Sequence, residues 1–408
     1  MVAMDDGRIK AIVDWLTDGA RTAAAPQQVL QELCERMIDA GVPLWRAAAF
    51  VRTLHPQIMG RRFLWVRDVG VSVSEAPHDL LATPTYRDSP VARVCLSGKG
   101  LRRRLSDPAC PIDLNTLAEL REEGVTDYVA KPLIFTDGAV HAATWTTRAP
   151  GGFSDAHIAA IDSVTSPLAR VAEVRALRRM AGNLLDTYVG HQSGERILSG
   201  HVRRGDSETI AAAIWLSDMR GFTVMADRLP PETTIELLNS YFDCQVPAIA
   251  EHGGEVLKFI GDGLLAIFPI AGRDTDGVCR QALEAARLAR QNIAALDAPS
   301  WSATTNGPRF GLALHLGEVL YGNIGGGDRL DFTCIGPAVN MAARIERLAA
   351  SLGRTVLASS RFAHACPAEL AGLGDFMLPG FSDTQAIYGL ADEPGQVMTL
   401  TPPDCPIA

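Results

Sequence analysis

Nowhere in this 408-residue chain is there a run of the roughly 18 to 20 apolar residues that a membrane span requires. The N-terminus carries Asp5 and Asp6 and lacks an apolar core, so no secretory signal is read there. Eight cysteines are present but none forms a CxxC pair, which argues against a disulfide framework or a thiolate zinc site. Cationic charge is also short: 38 Lys and Arg face 47 Asp and Glu, for a net charge of −9. That balance weighs against nucleic acid as the main partner, and Arg102-Arg103-Arg104 is read as a solvated loop. These absences describe a reduced, cytoplasmic protein. What remains, 47% hydrophobic and 21% charged residues, suits globular folding, and the length suits two cores.

The first 154 residues read as an α+β domain. Two helices fall within residues 8–40, the second carrying Val29, Leu30, Leu33, Met37 and Ile38 at helical spacing. Strand-like runs follow at Trp45–Leu54 and Phe63–Val73, then a polar stretch at 76–113 without a strong period. Tyr128–Phe135, the Asp137-Gly138 turn and Ala139–Thr147 read as a hairpin, and Ser154 or Asp155 as the cap of a long helix. This order resembles a GAF-type sensor domain, a fold that can hold a small-molecule effector such as a cyclic nucleotide or metabolite, or nothing. In the helix from Asp155 to Tyr188, Ile161, Val164, Leu168 and Val171 are spaced as in a parallel helix pair. Two readings stay open: a dimer stalk, or a helix packed on its own domain. Residues 155–207 are assigned to this helix and a connector, 208–392 to a second domain, and 393–408 to a tail.

The second domain carries the chemistry. Leu257-Lys258-Phe259-Ile260-Gly261-Asp262-Gly263 reads as strand, two-glycine turn, strand, with a lone carboxylate at the tip. A second apolar strand, Ile210–Leu216, runs on to Asp218. Two strand-end aspartates suit a pair of Mg²⁺ ions holding a triphosphate. Pro231–Glu251 reads as a helix kinked at Pro247, and Asp274–Leu296 as another. Phe310–Leu314 and Val319–Asn323 read as two strands meeting near His315-Leu316-Gly317. Pro337 opens a helix that places Asn340 and Arg344 on one face.

Asp218-Met219-Arg220-Gly221-Phe222-Thr223, Lys258–Asp262 and Phe332–Arg344 together resemble the class III adenylate/guanylate cyclase catalytic domain. The resemblance spans some 180 residues with all three motifs in order. It implies a ferredoxin-like core working as a head-to-tail homodimer with its sites at the interface. Asp218 and Asp262, with the Met219 backbone, would bind two Mg²⁺ ions, for which Mn²⁺ can substitute. Arg344 would meet charge on the transferring phosphate and Asn340 would orient the ribose. Lys258 and Thr333 would read the base, with Gly221, Phe222 and Thr223 also on the substrate.

Lys258 can only donate, so it suits the N1 acceptor of adenine and opposes the N1–H of guanine. ATP is the expected substrate and cyclic AMP the product. Two departures from the pattern stand out. Gly311 replaces a phosphate-binding arginine and Pro379 a triphosphate-contacting lysine, with Arg309, Arg220 and Arg329 as nearby cations. These departures keep open a catalytically weak ATP-binding module, and a cyclase for GTP is the other alternative. His315 is read as a strand-end residue bonding the loop, not as a catalytic base.

Overall fold

The computed structural model describes residues 4–296, 308–327 and 329–393, so the tail from 394 onward lies outside the described residues. The chain divides into two compact units, 1–187 and 188–408. In the first, β1 (Arg46–Arg52), β2 (Ile58–Val66), β3 (Gly70–Pro77), β4 (Leu101–Arg103), β5 (Asp127–Ile134) and β6 (Val140–Thr147) form one sheet. Its order is β3-β2-β1-β6-β5-β4, with every neighbouring pair antiparallel. The Asp137-Gly138 hairpin closes as the turn residues dictate, Ile134 pairing with Val140. The run read as one strand at Phe63–Val73 is instead a reversal, because Asp68 and Gly70 adopt φ of 63° and 98°. One sheet face packs on Leu16, Leu33 and Met37 of the helices Asp6–Thr17 and Pro26–Asp39. The other packs on Val94 and Leu117 of two short helices, in a stretch whose sequence shows no period.

Ser154 Oγ accepts the His157 N–H and caps the helix Asp155–Val189. Ile161, Val164, Leu168 and Val171 are buried in the first unit's own core. Along that stretch the spacing serves packing, not a helix pair. Val174 and Leu177, further on, stay 65% and 54% exposed.

The second unit is mixed α+β. Its strands are β7 (Ser207–Met219), β8 (Glu255–Ile260), β9 (Gly263–Pro269), β10 (Phe310–Gly326), β11 (Arg329–Ile335), β12 (Val356–Ser359), β13 (Leu370–Met377) and β14 (Thr384–Leu390). They run β13-β14-β12-β10-β7-β9-β8, with β11 added on β10 and β10–β12 parallel. The central strands are apolar on both sides because both faces are covered. Leu264, Ala266 and Phe268 of β9 face a core shared with the helix Thr275–Ala294, whereas Leu265 and Ile267 face the helix Pro337–Ser351.

Two sequence readings are corrected here. Phe310–Gly326 is one continuous strand of 17 residues, so His315 lies mid-strand rather than at an end. Gly317 marks no turn: a Cβ there would come within 2.7 Å of Ala338 Cβ, so glycine permits close helix–strand approach. The helix read across Pro231–Glu251 is two helices, Pro231–Asp243 and Val246–Glu251, with Pro247 in the first turn of the second.

Candidate active site

The carboxylate pair forms where β7 ends beside the β8–β9 turn. Gly261, at φ 64°, makes the reversal, and Asp262 follows at the tip. Gly263 keeps the approach open: a Cβ there would lie 3.2 Å from Asp218 Oδ1 and 3.1 Å from Ser217 O. Burial, the charge of Asp262 and a hydrogen bond with it push Asp218 up to about 6, while the Met219 N–H pulls the other way. A half-buried carboxyl whose ionisation is opposed by a neighbouring carboxylate is suited to a cation. No cluster of three His, Cys, Asp or Glu suited to a metal occurs among the described residues. The donor set therefore fits Mg²⁺, which binds through one or two carboxylates and leaves its other positions to phosphate and water. Gly221, at φ 72°, opens the short helix Phe222–Ala226, where Phe222 packs on the core and Thr223 is exposed.

A second group gathers on the stem of the same hairpin. The β8–β9 register slips between Val256 and Lys258, leaving Leu257 as an extra residue buried in the core. Such a bulge re-aims the side chain that follows it. It places Lys258 Nζ 2.8 Å from Asp331 Oδ2 on β11. Two residues along β11, Thr333 is buried, and its Oγ1 has no hydrogen-bond partner. A buried hydroxyl left unpaired costs about 1–3 kcal/mol, which a ligand can recover. Beyond the bulge, Phe259 is 53% exposed, whereas Leu257 is buried. Asn340 and Arg344 follow on the helix Pro337–Ser351, and neither side chain has a hydrogen bond or ion pair among the described residues.

Within one chain, then, Asp218 meets Asp262, and Lys258 meets the strand of Thr333. No hydrogen bond or ion pair joins Asp218 or Asp262 to Lys258, Thr333, Asn340 or Arg344 among the described residues.

Two residues unassigned by the sequence, Glu346 and Asp331, stand near the acids or on β11. Gly311 pairs directly with Asp218, and Glu346 fills the space above it. Burial and the charges of Asp218 and Asp262 push Glu346 up to about 7, while Arg220 and Arg347 pull it down. Arg220 donates to Arg354 O, and its buried Nε has no partner. Arg309 is exposed just ahead of β10, and Pro379 is exposed after β13. Asp331 had a readable signal, because residues two apart on a strand share a face with Thr333. Glu346 had none, since its placement depends on helix–sheet packing. His315 is buried, its Nδ1 lies 2.7 Å from Ser359 Oγ, and burial lowers it to about 4.

The first unit encloses a cavity of about 350 Å³ between its sheet and short helices. Arg46, Arg52, Arg62, Tyr128 and His141 are among its lining residues. Arg52 and Arg62 have no carboxylate partner among the described residues, whereas Arg61 pairs with Glu75 at 2.7 Å. The Arg52 N–H donates to His141 Nδ1, which fixes the His141 proton on Nε2.

Comparison with known proteins agrees with this geometry. Residues 206–369 match the family model of the Adenylate and Guanylate cyclase catalytic domain. An adenylate cyclase of Anabaena cylindrica is 36% identical over 161 residues, covering 38% of this chain and 31% of that protein. Adenylate cyclase 1 of Rhizobium meliloti (strain 1021) is 26% identical over 210 residues, covering 50% and 31%. The chain thus spans under a third of either curated relative. A solved bacterial light-regulated adenylyl cyclase aligns at 24% identity and TM-score 0.45, over 54% of this chain and 64% of its own. By the family model, residues 206–369 are an adenylate and guanylate cyclase catalytic domain of class III.

Proposed function

We propose that the protein converts ATP to 3′,5′-cyclic AMP and pyrophosphate at sites shared between two copies of its C-terminal unit. The observation that carries this reading is that, among the described residues of one chain, Lys258 bonds Asp331 and no bond links it or Arg344 to the Asp218–Asp262 acids. A head-to-tail, two-fold pairing would set the Asp218–Asp262 acids of one copy against Lys258, Thr333, Asn340 and Arg344 of the other. Exposed Phe259, Ile260 and Ile335 beside the second group supply apolar surface for such a contact.

Bound Mg²⁺ would supply a more acidic ribose 3′-hydroxyl and charge neutralisation on the triphosphate. The 3′-oxygen forms its bond to the α-phosphorus as the bond to pyrophosphate breaks, and the hydroxyl proton leaves to solvent. Asp218 and Asp262 would hold those ions beside the Gly221–Thr223 segment. Arg344 meets the charge developing on the transferring phosphate with a fixed fork of donors. Asn340 orients the ribose, while Gly221, Phe222 and Thr223 line the substrate side. Lys258 donates to adenine N1, and Thr333 Oγ1 has a free lone pair for the N6 amino group. His315 is buried and engaged by Ser359, so it serves the fold rather than proton transfer.

The first unit is proposed as a regulatory domain. Arg52 and Arg62 on its cavity, neither paired with a carboxylate among the described residues, favour a small organic anion as effector. A second reading, a weak or silent ATP-binding module, is favoured by one observation: an acid, Glu346, stands over Gly311 where a phosphate-binding cation was expected. Cyclic nucleotide production from ATP or GTP with Mg²⁺ or Mn²⁺, alongside Asp262→Ala, tests both. Cyclic AMP from the wild type alone supports the enzyme; tight ATP binding without product supports the module.

A further inference from the structure

We propose that Asp331 is a specificity-positioning residue that sets the direction in which Lys258 donates to the base; this rests on the adenylate reading above. Three features converge on it. The Leu257 bulge turns Lys258 toward β11. Lys258 Nζ donates to Asp331 Oδ2 at 2.8 Å, at a point where both side chains are still partly open to solvent, 33% and 57% exposed. Asp331 and Thr333 share a face of β11, so the held ammonium stands on the same side as the unpartnered Thr333 hydroxyl.

An ammonium on a four-carbon stem is a rotating point charge that would approach adenine N1, guanine O6 or a phosphate oxygen indifferently. Tethering one of its three donors to Asp331 restricts the other two to a cone fixed by β8 and β11. Pairing also makes the base pocket nearly neutral, which suits an uncharged base better than a stray phosphate. Asp331 needs no contact with the nucleotide in this role, because it acts through Lys258.

The test is a double-mutant cycle between Asp331→Asn and Lys258→Met in the full chain, with Asp331→Glu as the conservative variant. Equilibrium binding of a non-hydrolysable ATP analogue and its GTP counterpart is measured together with kcat and KM for cyclic nucleotide formation. Asp331→Asn is expected to lower the ATP-over-GTP preference about tenfold, mostly through the ATP-side KM, as befits losing a charge-assisted bond. It should have no further effect once Lys258 is Met, and Asp331→Glu should recover part of the preference. A merely structural aspartate would lower stability or kcat for both nucleotides alike and would add to Lys258→Met independently. If the wild type prefers ATP and Asp331→Asn keeps that preference, the assignment of Asp331 is overturned and the adenylate reading stands. If the wild type prefers GTP or binds neither analogue, the adenylate reading fails and takes this assignment with it.

Discussion

Gly311 lies under the carboxylate of Glu346: a Cβ on the glycine would come within 2.5 Å of Glu346 Oε1 and 3.1 Å of Ala349 Cβ. Gly311→Ala should therefore destabilise the second unit by about 1–2 kcal/mol through overpacking. Combining it with Glu346→Ala should cost less than the sum of the single changes, because the carboxylate it would strike is gone. Denaturant unfolding of the four chains measures this coupling. Additive penalties would show that Glu346 does not occupy that space in solution.

Asp218 and Glu346 ionise later in the folded chain, at about 6 and about 7 against ordinary values of 3.8 and 4.5. The folded state thus retains protons that the unfolded chain has lost, and stability falls as pH rises through that window. In EDTA the thermal midpoint should drop between pH 5 and pH 7.5, and Glu346→Gln should flatten the drop. Millimolar Mg²⁺ should restore most of the loss at the alkaline end, since bound cations favour the ionised acids. An unchanged slope in Mg²⁺ would argue against metal at this pair.

Asp262→Ala and Arg344→Ala should each reduce turnover by at least about a hundredfold, one through the metal pair and the other through charge stabilisation. Mixed in equal amounts, the two inactive chains should recover up to about a quarter of wild-type activity, because half the dimers would hold one intact site. No recovery after subunit exchange would rule out a site shared between copies.

Arg52 lines the first unit's cavity without a carboxylate partner. A thermal-shift screen of small carboxylates and phosphates should find ligands that raise the midpoint by about 2–4 °C at saturating concentration. Arg52→Ala should lose that shift while keeping its unliganded midpoint. Ligands that bind equally well to the variant would exclude an anionic role for this wall.

The residues of the proposed site were legible because each sits in a short local motif: the Gly-Asp-Gly turn around Asp262, the strand end at Asp218, the helical spacing of Asn340 and Arg344. What failed was information held in packing. Gly317 read as a break because glycine usually marks one, and only the approach of Ala338 shows its purpose. Pro247 signalled a kink, yet the chain used it to begin a new helix. Ile161 to Val171 have a spacing that fits a partner helix or the protein's own sheet equally well, and the first unit's core took them. That Asp331 shares a face with Thr333 could be read from strand alternation, but its pairing with Lys258 needed the bulge in β8, which is not written in residue types.

The β8–β9 hairpin performs three tasks within a few residues. At its root, buried Glu255 accepts from Ser193 and from the Tyr321 hydroxyl, tying β8 to the helix His191–Leu198. Its stem carries Lys258, and its tip carries Asp262. In a two-fold assembly the tip would serve one reaction centre and the stem the other, so each hairpin would have two masters. A small tilt at the Glu255 root would then act as a lever, shifting metal placement in one centre and base reading in its twin at the same instant. Regulation reaching that root would tune the two centres as one, with no separate signal to each.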